Sequence, residues 1–418
     1  MKALPPVRRP VPLNRRAVRK PLGTAFAGWS ARVCGSGTEA LALALADARR
    51  RLPTATPEVI LPAYGCPDLV SASVHAGLYP RLVDTAGGGR WGYDLDALER
   101  ALSPGCVAIL AVNLLGTGDQ ALELRRLADA RGVALIQDSA QHLPRQLPAE
   151  WAGDYVVLSF GRGKPLNLLG GGALLHRPER AVSIASSATR PVTGPLERPL
   201  LKRLAGLAFN VATHPVAYGI ARRLLGSSVG GTRYEQLETV CIASPAKVAE
   251  VERGLAGYES DAGYQASMWS AACAAWASDG VEMLSCATGS PAVEEVRLRL
   301  AMLAPDGRTR DRIVAALERK GLGATAMYGT TLERLDGIPA VIARQGPFPN
   351  AAVLASRLFT LPTHSCVNPA VLRETQLLVT RLLRHQPALE TQEAALEQLV
   401  RYRGQQECHQ RNERRIEQ

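Results

Sequence analysis

From about residue 30 to 180 the chain alternates short apolar runs with longer stretches of helical pattern. Residues 38–45 are rich in Ala and Leu, strong helix formers, and the pattern continues to Arg51, which predicts a helix. Residues 58–61 predict a short strand ended by Pro62. Residues 107–112, VAILAV, are apolar without interruption and predict a strand buried on both faces. Residues 122–131 carry the amphipathic pattern of a surface helix, stopped by Gly132. Residues 133–136 and 156–158 predict two more strands, with Asp138 just past the first and Ser159 just past the second. Residues 173–175 follow three glycines and predict another. This rhythm predicts an α/β fold, a large domain whose mostly parallel sheet is flanked by helices. Ligands of such sheets bind beyond the carboxyl ends of the strands, where Asp138 and Ser159 stand.

The pattern changes after residue 290. Residues 296–303 alternate and predict a strand with one exposed face, and 310–320 predict a charged amphipathic helix ended by Gly321. Two further helices are expected around 350–358 and 369–384, so this region reads as a smaller C-terminal α+β domain. The resulting division is a basic, Pro-rich arm at 1–24, a large domain at 25–255 with a basic insertion at about 190–230, a small domain at 256–400 and a polar tail at 401–418. There is no internal repeat.

Composition narrows the class. The 418 residues are 46% hydrophobic and 21% charged, which excludes a disordered chain. The net charge of +11 raises nucleic acid or an anionic membrane as partners, but its distribution is uneven. The first 20 residues hold seven cations and no acid; residues 177–225 hold eight Arg or Lys against two Glu; the tail has a small excess. The remaining body is mildly acidic. No zinc finger, aromatic RNA-binding motif or helix-turn-helix pattern accompanies the charge, so nucleic acid is not expected as a partner. Five prolines and nothing of its own to bury make the N-terminal segment read as an extended arm. No apolar run follows its charges, as a secretory signal would require. The eight cysteines include no C-x-x-C pair, and the seven histidines do not join them at zinc-ligand spacing. Free thiols in a reducing cytoplasm, and no metal site, are the expectation.

Within the insertion, residues 204–221 hold no formal charge and are flanked by Lys202-Arg203 and Arg222-Arg223. Asn210, Thr213, His214 and Pro215 make a poor membrane span. Two short helices broken at His214-Pro215 are expected instead, either packed at a dimer interface or lying on an anionic membrane. Peripheral contact with the inner face of the membrane would then run through 1–20 and 199–226.

Three local features carry chemistry. Gly35-Ser36-Gly37-Thr38 precedes the first helix, where small residues and free N–H groups make an anion site; alone it is equally an ordinary helix cap. Asp138 ends a buried run and needs a cationic or hydrogen-bonding partner; alone it also reads as a cap. Lys164 lies between glycines just past a strand and alone reads as a surface lysine. Together, in this order on one α/β sheet, they suit pyridoxal phosphate. The helix end and Ser159 would hold the phosphate, Asp138 would keep the pyridine nitrogen protonated, and Lys164 would bind the cofactor and shuttle protons. His142 and His364 are secondary candidates for the cleft, whereas His75 and His176 read as surface or helix residues.

At this point the sequence resembles the DegT/DnrJ/StrS-type aminotransferases, a family of fold-type-I pyridoxal phosphate enzymes that mostly aminate keto sugars carried on nucleotides. Ser36-Gly37-Thr38-Glu39-Ala40-Leu41 resembles its S-G-T-x-A-L, Gln137-Asp138-Ser139-Ala140-Gln141 its E-D-A-A-Q, and Gly153-Asp154 through Ser159-Phe160 to Lys164 its G-D-x-x-x-x-S-F-x-x-x-K. Residues 59–64 and 76–84 resemble its V-I-x-P and A-G-x-x-P-x-x-V-D segments, with weaker echoes at Tyr328, 348–351 and 361–364. The resemblance implies Lys164 as the lysine that carries the cofactor, Asp138 as the pyridinium partner, Gln141 near the phenolic oxygen, and Gly37, Thr38 and Ser159 on the phosphate. It also implies a homodimer, with glutamate as amino donor and a nucleotide-linked keto sugar as acceptor, in polysaccharide or secondary-metabolite biosynthesis.

Some family positions differ. Cys66 stands where an aromatic ring often covers the cofactor, so either Cys66 or a reoriented Tyr64 is its neighbour. Leu169-Gly170-Gly171-Gly172 lacks the Glu of G-E-G-G, Asn113-Leu114-Leu115-Gly116 replaces H-L-Y-G, and residues 231–234 fit the N-x-R loop poorly. These departures motivate an alternative, a degenerate scaffold in envelope-polysaccharide assembly at the membrane surface.

Overall fold

The computed structural model describes residues 2–13, 19–144, 147, 149–180, 190–191, 199–225, 232–258, 266–288 and 297–384. The main sheet contains β1 (Ser30–Cys34), β2 (Glu58–Pro62), β3 (Tyr79–Val83), β4 (Cys106–Val112), β5 (Ala134–Asp138), β6 (Tyr155–Ser159) and β7 (Gly172–His176). Their order is β3-β2-β4-β5-β6-β7-β1, and two short segments, Cys241–Ile242 and Arg190–Pro191, extend the β1 edge. Strands β3, β2, β4, β5 and β6 run parallel, while β7 is antiparallel to both its neighbours. The uninterrupted apolar runs follow from this arrangement: every residue of β4 is buried because both faces are covered.

Helix α1 (Gly37–Arg51) begins with Ser36, whose Oγ accepts the Glu39 N–H at 3.1 Å. Its Ala and Leu positions 40–45 are all buried. Glu39 in its first turn and Arg49, Arg50 and Arg51 in its last complement the helix dipole. Helix α2 (Asp68–His75) follows β2, and α3 (Ala121–Arg131) ends at Gly132, whose φ of 64° is the left-handed conformation that glycine tolerates. The insertion forms two helices, α4 (Pro199–Ala212) and α5 (Pro215–Leu225), broken at His214-Pro215 as the sequence predicts.

A second, antiparallel sheet joins Glu282–Met283, β8 (Arg299–Leu303) and β9 (Leu358–Pro362), with β8 in the middle. Helices α6 (Gly307–Lys320), α7 (Pro349–Arg357) and α8 (Pro369–Arg384) accompany it. The expected exposed face of the 296–303 strand is absent, and all five residues of β8 are buried. Leu300 and Met302 pack with Ile313, Leu317 and Val379, whereas Ala301 and Leu303 join the main core with Leu354 and Ala355. Its alternation therefore reflects two covered faces, with the Arg299 guanidinium satisfied internally by Thr360 Oγ1 at 2.6 Å and the Gly323 carbonyl at 3.0 Å.

The N-terminal arm also departs from expectation, because it does have something to bury. Ala3, Leu4 and Val11 are each under 9% exposed. The Ala3 N–H donates to the Pro215 carbonyl (2.9 Å), and the Leu4 N–H to Gly321 (2.7 Å). His364 Nε2 donates to the Pro5 carbonyl (3.0 Å), Asn167 Nδ2 to Arg9 (2.8 Å), and Asn210 brackets the Val11 peptide from both sides. Proline prevents the arm from building its own ladder, and these peptide groups find partners instead in the insertion, after α6 and β9, and in the loop after β6. His176 likewise proves buried, as the last residue of β7.

Candidate active site

The turn from β6 to β7 positions the lysine. Because β7 returns antiparallel, with Ser159 opposite Gly172, the connecting loop folds back over the carboxyl end of β6. Gly163, at φ 70°, lets this loop turn immediately before Lys164. Next to it, α1 starts hard against the sheet. A Cβ on Gly37 would lie 2.8 Å from Ser159 Cβ, and one on Gly172 would lie 2.4 Å from the Ser36 carbonyl and 2.5 Å from the Gly37 nitrogen. Only glycine at these positions lets the N-terminus of α1 approach the strand ends, with its first N–H groups lacking intrahelical partners. Gly172→Ala is expected to cost about 1–3 kcal/mol by overpacking and to loosen any anion held at the helix start; thermal melts and cofactor titration check both effects.

One cleft brings together all six residues singled out from the sequence: Gly37, Thr38, Asp138, Gln141, Ser159 and Lys164. Asp138 and Ser159 are the last residues of their strands rather than the first beyond them. Asp138 Oδ1 accepts the Ala140 N–H at 2.9 Å. Burial raises the proton affinity of this carboxyl; the Ala140 N–H and the nearby Lys164 cation oppose that shift, and Asp68 reinforces it. Gln141 is clamped: its Nε2 donates to Tyr328 Oη at 2.6 Å and its Oε1 accepts the Leu115 N–H at 3.2 Å. Thr38 Oγ1 donates to Asp68 Oδ2 at 3.0 Å, so its hydroxyl proton is already used.

Cys66, not Tyr64, lines the cleft. Tyr64 is fully buried, edge-on to Trp91 and to Tyr328, with ring centroids 6.4 and 5.6 Å apart. Burial pushes the Cys66 thiol up to about 12, so it presents a small neutral surface where a ring is usual in the family. His142 and His364 stand outside the cleft lining. His364 instead anchors the arm, donating from Nε2 to Pro5 while Nδ1 accepts the Cys366 N–H at 3.3 Å.

Sequence reasoning passed over Asp68 and the clamp formed by Tyr328. Asp68 has a local signal, being the first residue of a helix that starts two positions after Cys66. The clamp joins residues 187 positions apart and has none.

Residues 24–199 match the model of the DegT/DnrJ/EryC1/StrS aminotransferase family. The chain is similar to EpsN of Bacillus subtilis, named as a pyridoxal phosphate-dependent aminotransferase, with 33% identity over 114 residues, 24% of this chain and 29% of that one. It is also similar to a UDP-N-acetyl-3-dehydro-alpha-D-glucosamine 3-aminotransferase of Acidithiobacillus ferrooxidans, with 30% identity over 146 residues, 34% of this chain and 38% of that one. The chain thus matches about a third of the length of these curated relatives. The fold is shared much more widely. NtdA of Bacillus subtilis, solved with bound pyridoxamine phosphate, superposes with a TM-score of 0.60 at 14% identity over 85% of this chain and 73% of that one.

Proposed function

We propose that the protein is a pyridoxal 5'-phosphate-dependent aminotransferase that moves an amino group, from glutamate, to a keto sugar carried on a nucleotide. The observation that carries this reading is the meeting in one cleft of the α1 N-terminus, the buried Asp138 carboxyl and Lys164. The residues fit the cofactor: the close approach allowed by Gly37 and Gly172 sets the first N–H groups of α1 beside Ser159 at the cleft, where a phosphate would bind, and Asp138 is a buried carboxyl in need of a cationic partner.

When bound, the cofactor supplies a conjugated pyridine ring that takes up the electron pair released when a neighbouring carbon–hydrogen bond breaks. The chain's own groups do the rest. The first N–H groups of α1 and the Ser159 hydroxyl hold the phosphate. Asp138 keeps a proton on the pyridine nitrogen. Lys164 would tether the cofactor through Nζ and would take up and return the proton at the reacting carbon. Gln141, fixed by Tyr328 and Leu115, holds the phenolic edge of the ring. The sugar-nucleotide class is supported by the name of the Acidithiobacillus relative. The proposal includes a cytoplasmic homodimer serving polysaccharide or secondary-metabolite synthesis.

The test is direct. Purified protein incubated with pyridoxal phosphate and reduced with borohydride should carry the cofactor on the peptide containing Lys164. A protein that takes up no cofactor, or labels elsewhere, overturns this reading. The scaffold alternative has no use for Asp138 and Lys164 lining one formed cleft.

A further inference from the structure

Helix α4 turns its apolar stripe outward. Leu200, Leu204, Leu207 and Val211 repeat at helical spacing and are 68, 54, 51 and 57% exposed. Packing falls instead to a stripe of small and polar groups. Lys202 pairs with Glu250. A Cβ on Gly206 would meet Leu13 and Val11 at 3.0 and 3.2 Å, and Asn210 bonds the Val11 peptide. Helix α5 repeats the inversion, with Val216, Ile220 and Leu224 exposed and Gly219 buried. Among the described residues nothing covers this face. A continuous apolar surface of this kind ordinarily marks a docking site.

Charge says what docks. From Pro199 to Leu225 there is no Asp or Glu, and Lys202, Arg203, Arg222 and Arg223 stand at the two ends of the uncharged stretch. The arm is bonded along the hairpin at Ala3 and Val11, with Lys2 exposed next to the first of these contacts. A second copy of the chain fits this face poorly, because a two-fold contact sets a patch against itself and would oppose Arg203, Arg222 and Arg223 with their own copies, and the hairpin carries no acid to separate them. The helices are 14 and 11 residues long, and no described helix is long and apolar enough to cross a membrane.

We propose that the α4–α5 hairpin and the adjoining arm form a docking surface for an anionic lipid bilayer. The hairpin lies in the plane of the interface, with Leu204, Leu207, Val211 and Ile220 among the acyl chains and Arg203 at the level of the headgroups. This inference does not depend on the catalytic reading.

The experiment is vesicle sedimentation with the purified full-length protein. It should pellet with vesicles of phosphatidylcholine mixed with phosphatidylglycerol, stay in solution with phosphatidylcholine alone, and be released by salt. Changing Leu204, Leu207, Val211 and Ile220 together to Ser should abolish pelleting while circular dichroism stays unchanged. Arg203→Gln, a milder change at an exposed site, should lower partition onto the anionic vesicles about fivefold and keeps the test open if the quadruple variant fails to fold. No binding to the anionic vesicles, or equal binding to both kinds, overturns the proposal. So does a quadruple variant that still pellets but shows a smaller mass in light scattering, which would assign the face to a second copy.

Discussion

Lys164→Ala is expected to lower transamination by about 10²–10⁴-fold from lost proton transfer alone, with a further loss because the variant cannot tether the cofactor. Two features of the site make the experiment informative. The groups proposed to hold the phosphate, at the start of α1 and at Ser159, are packed by Gly37 and Gly172 and owe nothing to the lysine side chain. Lys164 itself sits on the loop between β6 and β7, so truncating its side chain leaves both strands paired. The variant should therefore still bind pyridoxal phosphate in equilibrium dialysis and lose only the borohydride label. Stopped-flow absorbance with glutamate alone isolates the first half of the reaction, where proton transfer by Lys164 is needed. A variant that turns over at the wild-type rate would sink the proton-shuttle role. A cellular phenotype that survives the change would point to the scaffold reading.

The parts of this site that were legible in the sequence share a cause: their function is set within a few residues. The run at 107–112 announced a doubly covered strand because burial on both faces leaves no polar positions. Ser159 directly follows its apolar run and Asp138 stands one residue beyond its own, so both mark a strand end, and each proves to be the last residue of its strand rather than the first beyond it. What was missed depends on distant partners. The alternation at 296–303 resembles that of a half-exposed strand, and its second face is covered by the main core, to which α7 contributes Leu354 and Ala355. The arm reads as solvated because its hydrogen-bond partners, Gly321, His364 and Asn210, are all distant in sequence. Leu115 and Leu169 adopt φ of 54° and 59° without the glycine that would signal such a turn. Their neighbours hold them there: the Leu115 N–H bonds to Gln141, and the Leu169 N–H donates to Asn167 Oδ1 at 3.0 Å. The charge total likewise became meaningful only when the fold joined the arm to the insertion.

Asp138→Asn should separate cofactor chemistry from stability. The carboxyl is 8% exposed, and burial raises its proton affinity more than Ala140 and Lys164 lower it. The folded chain thus binds this proton more tightly than the unfolded chain does. Stability from the group is fully present below the unfolded pKa and is lost as pH rises through the raised folded value. Without cofactor, the amide of the variant escapes that loss. It is expected to be more stable than the wild type at neutral pH by about 1–3 kcal/mol, and the gap should close on acidification. The cofactor reverses the order: a protonated pyridine nitrogen gives the wild-type carboxylate its cationic partner, so added pyridoxal phosphate stabilises the wild type more. Transamination in the variant should fall by about 10²–10³-fold, as when a preorganised electrostatic group is removed. Thermal melts of both proteins across pH, with and without pyridoxal phosphate, check the crossing. If the variant without cofactor is the less stable protein at every pH, Asp138 serves as a cap for the Ala140 N–H. An ordering that the cofactor inverts is expected only of a carboxyl held in the cleft for the ring nitrogen.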